Sequence, residues 1–545
     1  MLGRAWAWRQ ADGCPTAAPG VPPTPLSVLG TVHRPWMFVG PKGPRVFLAP
    51  SGQTSARREY SSEAAQNNER LRFFLGEIRP KASDNQFLGR AMENFCRLMT
   101  TSHHAPAQGT LWSLAWPMML SNLSLPALTL VDAAVLGHLP EPQHLAAVVL
   151  GSTLFSFFYW GFGFLRMGTT GQVAQLLGAA SAQPPRVTGR ALRKLLGQGF
   201  GVAGIATAGC WLLGPFLIPE ALGWLNGRGA VAEEGERYAL IRLFSAPAVL
   251  VTYVMVGTLI GLGETRRVLA LTVFTQALNI GFDLLFVLGL GMAGPGVALG
   301  TALAEGLGAL FAASQLRPAL KRWPGSMPWR GLRQGYSAFL RVNGDLFLRT
   351  LTLLLCLSVF TAQGAGLGTA VVAANALLMN LFMTVSYGLD GIAHGCETLV
   401  GQALGRRDLK EARAWVWLAL KLAFGGAVAS TAIFWAFGPE LIALLTDIDH
   451  VATTGEAALP WLIALPLLAA GAFVFDGVFI GSTQSAALRN TMLASALLIY
   501  APALMALSSY GNDGLWSALA LFFLARSVSL GWVYGRGGLA LPPPA

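Results

Sequence analysis

Long apolar runs separated by short polar segments fill the chain from about Leu111 to Tyr534. Each run holds roughly 20 apolar residues, enough for a helix to cross the ~30 Å hydrocarbon core of a bilayer. The runs lack the strict alternation of barrel strands, so they indicate membrane-spanning helices. The pattern predicts twelve spans, at residues 112–137, 145–178, 191–218, 238–262, 268–290, 296–316, 337–361, 371–404, 414–445, 458–480, 491–508 and 514–534.

Composition supports this pattern. Of the 545 residues, 53% are hydrophobic and only 12% are charged, whereas soluble domains carry about 25% charged residues. The predicted fold class is therefore an all-α polytopic membrane protein. The segments between spans are too short for a soluble catalytic domain, and they contain no metal cluster, nucleophile elbow or phosphate loop. An integral membrane enzyme is accordingly only a remote alternative.

Basic residues alternate between loops along the chain. The loops after spans 2, 4, 6, 8 and 10 are the basic ones, whereas the other loops are acidic or nearly neutral. Basic loops stay on the cytoplasmic side, so both termini are expected to be cytoplasmic. The net charge of +11 thus reflects membrane topology, and we expect no nucleic-acid partner. The basic loops contain Arg186, Arg190, Arg193, Lys194, Arg266, Arg267, Arg317, Lys321, Arg322, Arg330, Arg333, Arg406, Arg407, Lys410, Arg413 and Arg489.

Similar sequences recur six spans apart. The segment 145–155 aligns with 372–382, and at the same offset Gln175-Leu-Leu-Gly178 matches Gln402-Ala-Leu-Gly405. A second match pairs 257–261 with 477–481. Because six is an even number, the two halves have the same orientation in the membrane, which predicts two lobes related by a parallel repeat. Transporters of this kind bind substrate between the halves and alternate access by moving one half against the other.

The repeat divides the chain into predicted domains. They are an N-terminal extension (1–110), a first lobe (111–316), a cytoplasmic linker between the lobes (317–336), a second lobe (337–534) and a short tail (535–545). The extension is rich in Pro, Gly and Arg and almost free of acids before Glu59, as in organellar transit peptides. It could equally be disordered or absent from a mature protein that starts at Met99. A bacterial inner membrane is expected without residues 1–98, and an organellar envelope if they target the protein.

Ionisable groups within spans mark candidate functional sites because burying charge in a membrane is costly. The first half carries Asp132 and Asp283, and Asn279 lies one helical turn before Asp283 on the same face,. Thr301 on the next span offers a hydroxyl. These oxygens suit a small hard cation such as Na⁺, and two close carboxylates can instead hold a proton. No other cofactor is expected.

The second half carries a different set of charges. Asp345 and Arg349 have the i,i+4 spacing of an internal salt bridge,. Asp390 and Glu397 lie two turns apart on one face of span 8, with His394 between them. Candidates for a substrate cavity that attracts cations, or for a relay, are Asp345, Arg349, Asp390 and Glu397. Arg166 in span 2 requires an acidic partner or water.

The sequence resembles the multidrug and toxic compound extrusion (MATE) transporters, and within them the DinF-like branch. The likeness covers about Leu111 to Tyr534. It rests on Val131-Asp-Ala-Ala-Val-Leu-Gly-His138, Asn279-Ile-Gly-Phe-Asp283, Asn343-Gly-Asp-Leu-Phe-Leu-Arg349 and Leu389-Asp-Gly-Ile-Ala-His-Gly-Cys-Glu397, followed by Val400-Gly-Gln-Ala-Leu-Gly405.

The resemblance implies two six-helix lobes around a central cavity and export of organic, often cationic, compounds in exchange for H⁺ or Na⁺. It also implies a first-lobe cation site formed by Asp132, Asn279, Asp283 and Thr301. The second-lobe acids of other branches have no evident match here, and the long N-terminal extension departs from the family pattern. A flippase for a lipid or lipid-linked glycan is the alternative, although its cavity should be strongly basic. A monomer in the bilayer with a small-molecule substrate is expected.

Overall fold

The computed structural model describes residues 108–137, 142–224 and 229–541. These residues form helices, and no strand occurs among them. The helices are α1 Gln108–Gly137, α2 Pro142–Gly161, α3 Phe164–Ala179, α4 Pro185–Trp224, α5 Gly229–Leu243, α6 Ala246–Gly261, α7 Thr265–Asp283, α8 Ala293–Lys321, α9 Tyr336–Gly366, α10 Thr369–Gly405, α11 Leu409–Leu445, α12 Asp449–Gly481, α13 Ser485–Ala494, α14 Ala501–Ala506 and α15 Gly511–Gly535.

The helices group into the predicted spans. Ten described helices are long and apolar enough to cross a membrane, and the bent pair α5 and α6 would make an eleventh. Together with the 30-residue α1, they give a twelve-helix arrangement in two lobes, the first from α1 to α8 and the second from α9 to α15. The predicted fold class is confirmed. The N-terminal extension lies almost wholly outside the described residues, so the domain boundaries remain predictions.

Several spans are less regular than the hydropathy pattern suggests. Span 2 is interrupted at Phe162 and Gly163, which separate α2 from α3. Span 4 bends by 51° between α5 and α6, where a proline in the first turn of α6 cannot donate a backbone hydrogen bond. The acids 233–236, which the sequence suggested to be in a loop, are helical in α5.

Two spans contain wide π-helical turns. One, Leu284–Gly289, continues directly from the end of α7 at Asp283, and the other, Ser495–Tyr500, follows α13. The two turns lie in spans 5 and 11, again six spans apart. They add structural support to the internal repeat, and such turns are often found at functional sites.

Glycines bring the repeat-related helices into close contact. A Cβ at Gly257 of α6 would overlap the Arg166 carbonyl of α3, and one at Gly477 of α12 would overlap the Ala393 carbonyl of α10. One turn on, Gly261 faces the Thr170 carbonyl in the same way. Small residues allow this close approach of helix backbones in membranes. The sequence match between residues 257–261 and 477–481 therefore corresponds to the same packing contact in both lobes.

The segment between the lobes is held against the first lobe. Arg193 Nη1 of α4 donates to the Trp323 carbonyl at 2.7 Å. The Gln198 amide donates to the carbonyls of Leu332 and Gln334 at 2.9 and 3.1 Å. These bonds satisfy backbone carbonyls that no helix pairs, and they attach the linker to α4.

Candidate functional site

Three of the four predicted cation-site residues have side chains in the described part of the chain. Asn279 and Asp283 are buried near the end of α7, and Thr301 lies on α8. Asn279 Nδ2 donates to Thr301 Oγ1 at 2.9 Å, and Thr301 Oγ1 donates to the Val297 carbonyl at 2.8 Å. Asp132 lies on α1, but its side chain is outside the described part.

The arrangement leaves oxygen atoms available for a ligand. Within the described residues, Asn279 Oδ1 is buried and has no hydrogen-bond partner. Thr301 Oγ1 retains an unused lone pair after its two hydrogen bonds. The glycine at position 300 leaves the space next to Asp283 open. Any side chain there would fill it, since a Cβ would lie 2.7 Å from Asp283 Oδ1. An amide oxygen, a hydroxyl and a carboxylate with 0% exposure form a donor set that fits Na⁺ or, at the carboxylate, a proton.

The second lobe pairs its charges differently from the i,i+4 expectation. Asp345 accepts from Ser485 Oγ at 2.8 Å and from Arg489. Arg349 pairs instead with Asp476 of α12. Asp345 and Arg349 therefore do not form the expected salt bridge, because each pairs with a residue on another helix, Arg489 of α13 and Asp476 of α12.

A buried ion triad forms around Asp476. Arg526 Nη2 of α15 donates to Asp476 Oδ2 at 2.7 Å, and Arg349 of α9 pairs with the same oxygen. All three residues are less than 9% exposed. One acid shared by two bases links three helices of the second lobe, which indicates a structural role.

Asp390, His394 and Glu397 lie where α10 approaches the first lobe. Glu397 is 1% exposed, and its Oε2 lies 3.2 Å from His394 Nδ1. Arg166 of α3 lies 3.2 Å from His394 Nε2. Asp390 is partly exposed and forms no hydrogen bond or ion pair with the residues that the structure describes. The predicted second-lobe residues thus separate into a paired set, Asp345 and Arg349, and a set at the lobe interface.

Four charges within the predicted spans were not identified from the sequence. Asp476, Arg526 and Glu305 are single charges within apolar runs, the same signal that identified Asp283, so they could have been found. Arg242 lies near the start of predicted span 4. It is buried and forms a bidentate ion pair with Glu305 of α8, with Nη2 to Oε1 at 2.9 Å. It also lies over the Tyr159 ring, 5.5 Å from the centroid. The pairing of Arg242 with Glu305 is visible only in the tertiary structure.

Comparisons with known proteins agree with this architecture. The MatE family model matches residues 117–285 and 346–504, one region in each lobe. The chain is 37% identical to DNA damage-inducible protein F of Escherichia coli over 445 residues, covering 81% of this chain and 95% of that protein. It is 25% identical to Protein DETOXIFICATION 44, chloroplastic, of Arabidopsis thaliana over 434 residues, covering 78% and 81% respectively.

A solved structure shares the fold. The outward-facing conformation of a multidrug resistance MATE family transporter of the MOP superfamily superposes with a TM-score of 0.72 at 21% identity. The match covers 79% of this chain and 96% of that structure.

Proposed function

Since the chain belongs to the MatE family of multidrug efflux transporters, we propose that it exports small cationic or amphipathic organic compounds in exchange for H⁺ or Na⁺. The observation that carries this proposal is the buried oxygen cluster of Asn279, Asp283 and Thr301. An ionised acid at that depth in an apolar lobe is costly, and binding of a cation or a proton lowers this cost.

The coupling site lies where binding can change the shape of the lobe. Asp283 directly precedes the π-helical turn Leu284–Gly289, and π turns within helices are frequent at functional sites. Asn279 and Thr301 connect α7 to α8 through a direct hydrogen bond. A cation that binds Thr301 and Asn279 would therefore alter the contact between these two helices. Asp132 on α1 is proposed to complete the site.

The choice of an organic cation as substrate rests on the second lobe. Asp390 is partly exposed and lies without an ion pair among the described residues, whereas Asp345 and Asp476 are neutralised by arginines. An unneutralised carboxylate facing the interface between the lobes attracts cations. We propose that both termini lie in the cytoplasm, because basic loops stay on that side of a membrane, and that this membrane is a bacterial inner membrane. Protease access to tags at the two ends would test this orientation.

Transport in vesicles tests the proposed function. The full chain is reconstituted in liposomes, and export of a fluorescent organic cation is followed with only an imposed pH gradient or only an imposed Na⁺ gradient. We expect wild type to transport under one gradient, and Asp132→Asn and Asp283→Asn to lose at least about tenfold in rate, the loss that corresponds to 1.4 kcal/mol of binding energy.

The control is Asp513→Asn, which changes an exposed acid that accepts from Trp461 Nε1 at 3.0 Å. It should transport like wild type. If both first-lobe variants transport at the wild-type rate under either gradient, the coupling site is not in the first lobe. If wild type moves no organic cation but moves a lipid probe, the exporter proposal is wrong.

A further inference from the structure

The two lobes meet along a closed contact, which we call the seam, formed by α3 and α6 of the first lobe and α10 and α12 of the second. Thr398 Oγ1 donates to the Ile260 carbonyl across it at 2.9 Å. A Cβ at Gly401 would lie 2.6 Å from Ala174 Cβ. The seam lies at the ends of the helices that lead into the basic loops, so the lobes are in contact on that side.

Glu397 lies within this seam. It is 1% exposed, and its Oε1 atom is buried with no hydrogen-bond partner within the described residues. The Thr170 hydroxyl of the first lobe is next to the carboxyl group but donates to the Arg166 carbonyl at 2.8 Å. The other oxygen of Glu397 contacts His394 Nδ1 at 3.2 Å. A buried carboxyl group thus faces the first lobe at the seam, and one of its two oxygens accepts no hydrogen bond from the described residues.

Arg166 does not neutralise Glu397 directly. Its Nη1 atom lies 3.2 Å from His394 Nε2 and 3.4 Å from Nδ1. If Arg166 donated to the in-plane lone pair of one ring nitrogen, the other ring nitrogen would be much farther away. Because Nη1 is almost equidistant from both, the guanidinium lies over the face of the imidazole ring. No ion pair within 4 Å connects Arg166 to Glu397 in the part of the chain that the structure describes.

Burial in the seam therefore favours the neutral, protonated form of Glu397. An ionised carboxylate removed from water without a direct partner costs several kcal/mol. A protonated Glu397 is neutral and could donate to His394 Nδ1. When the lobes part at the seam, water reaches the group and removes the cost of its ionisation.

We propose that Glu397 is a second proton-binding site, which holds a proton while the seam is closed and releases it when the lobes part there. The proton comes from water near the partly exposed Asp390, two turns towards the opposite end of α10. It passes through His394, which accepts on one ring nitrogen and gives up the proton of the other, and it ends on the Glu397 carboxylate. Opening of the seam returns it to water on the basic-loop side, so one proton enters and one leaves.

Other charged groups face this relay and must be considered. Arg166 and Asp390 act on Glu397, and Asp390 in turn faces Arg349, Arg526 and Asp476. The α12 helix packs the backbone of Gly481 against the backbone carbonyl of Glu397. This proposal rests on the function proposed above in one respect, namely that the two lobes part at the seam during transport.

Distance measurements across the seam test the proposal. Spin labels are placed at exposed Ser181→Cys and Lys410→Cys in full-length protein whose native cysteines are replaced by alanine, and the protein is held in lipid nanodiscs. Between about pH 5 and pH 8, the range in which histidine side chains ordinarily change their charge, we expect the separated population to increase with pH by about tenfold. Glu397→Gln, which mimics the protonated acid, should remain closed across the range.

A first-lobe variant separates this proposal from the proposed coupling site. Asp283→Asn should lose gradient-driven export but keep the pH response of the seam. His394→Gln should fold and still separate with pH, but it should slow proton-driven export at least several-fold. The proposal would be overturned if the separated population of wild type did not change with pH. It would also be overturned if this population changed equally in Glu397→Gln and wild type. If Glu397→Gln does not fold, a wild-type export rate in His394→Gln would overturn it.

Discussion

Gln175 and Gln402 make equivalent hydrogen bonds in opposite directions across the seam. Gln175 Nε2 of the first lobe donates to the Gly481 carbonyl of the second at 3.0 Å. Gln402 Nε2 of the second lobe donates to the Gly261 carbonyl of the first at 3.4 Å. The two glutamines occupy matching positions in the internal repeat, and so do the two glycines. The pseudo-symmetry of the sequence therefore produces a symmetric pair of contacts that close the lobes on one side.

Removing both glutamine amides should favour separation of the lobes. A net hydrogen bond contributes about 0.5–1.5 kcal/mol, so Gln175→Ala combined with Gln402→Ala should increase the separated population by about tenfold. The same spin-label pair, Ser181→Cys and Lys410→Cys, measures that population.

The matched control for this pair is Gln198→Ala. Its amide makes two hydrogen bonds to backbone carbonyls of the linker but does not cross the seam. It should lower the thermal stability without changing the label distance. Equal distances in the double variant and wild type would show that the glutamines do not hold the lobes together.

Adding a methyl group at the seam glycines should disturb packing. A Cβ at Gly261 would lie 2.7 Å from the Thr170 carbonyl, and one at Gly481 would overlap the Glu397 carbonyl. Because backbone must move to make room, Gly481→Ala should cost about 1–3 kcal/mol, seen as a lower melting temperature in detergent. Gly306→Ala and Gly344→Ala are the controls, since nothing lies within 4 Å of a Cβ at either position. If Gly481→Ala has the same melting temperature as the two controls, the close approach is not stabilising.

The sequence predicted the spans and the repeat because both depend on hydropathy and on local similarity. It could not predict ion pairing in the second lobe. Asp345 and Arg349 had the right spacing for each other, yet their partners Arg489 and Asp476 lie on helices more than a hundred residues away in the chain. The break between α2 and α3 and the π turn after Asp283 also escaped prediction, because an apolar run has the same composition whether its helix is regular or not.

The first-lobe residues were predictable for a related reason. Asn279 and Asp283 are four residues apart on one helix, and Thr301 is close because short loops make consecutive helices neighbours. The bond from Asn279 to Thr301 follows from that proximity. The contact between Glu397 and the first lobe has no such local signal, because α3 and α10 are brought together only by the packing of the lobes.

Removing the acid of the buried triad should destabilise the second lobe. Asp476→Asn would leave Arg349 and Arg526 close together without a neutralising carboxylate, and breaking a buried pair costs about 3–5 kcal/mol. We expect a large loss of thermal stability and of folded protein in the membrane fraction. Arg406→Gln, which removes an exposed ion pair to Glu411, should cost less than about 1 kcal/mol. A fully stable Asp476→Asn would contradict a structural role and would favour a binding role for this acid.

The Thr301 hydroxyl provides the sharpest test of the first-lobe site. It accepts from Asn279 Nδ2 and donates to the Val297 carbonyl, so Thr301→Val keeps the shape of the residue but removes a potential ligand and leaves the Asn279 amide without its acceptor. We expect the concentration of the coupling cation that gives half-maximal export to increase by about tenfold, which corresponds to 1.4 kcal/mol, while Thr301→Ser stays near wild type.

Thr352 of α9 offers a matched control for the Thr301 substitution. Its hydroxyl donates to the Leu348 carbonyl four residues earlier at 2.8 Å, the same local bond that Thr301 makes to Val297, but it lies in the second lobe. Thr352→Val should leave the half-maximal concentration unchanged. If both valine variants weaken cation dependence equally, the effect comes from general loss of a buried hydroxyl. If neither does, Thr301 is not a ligand of the coupling cation.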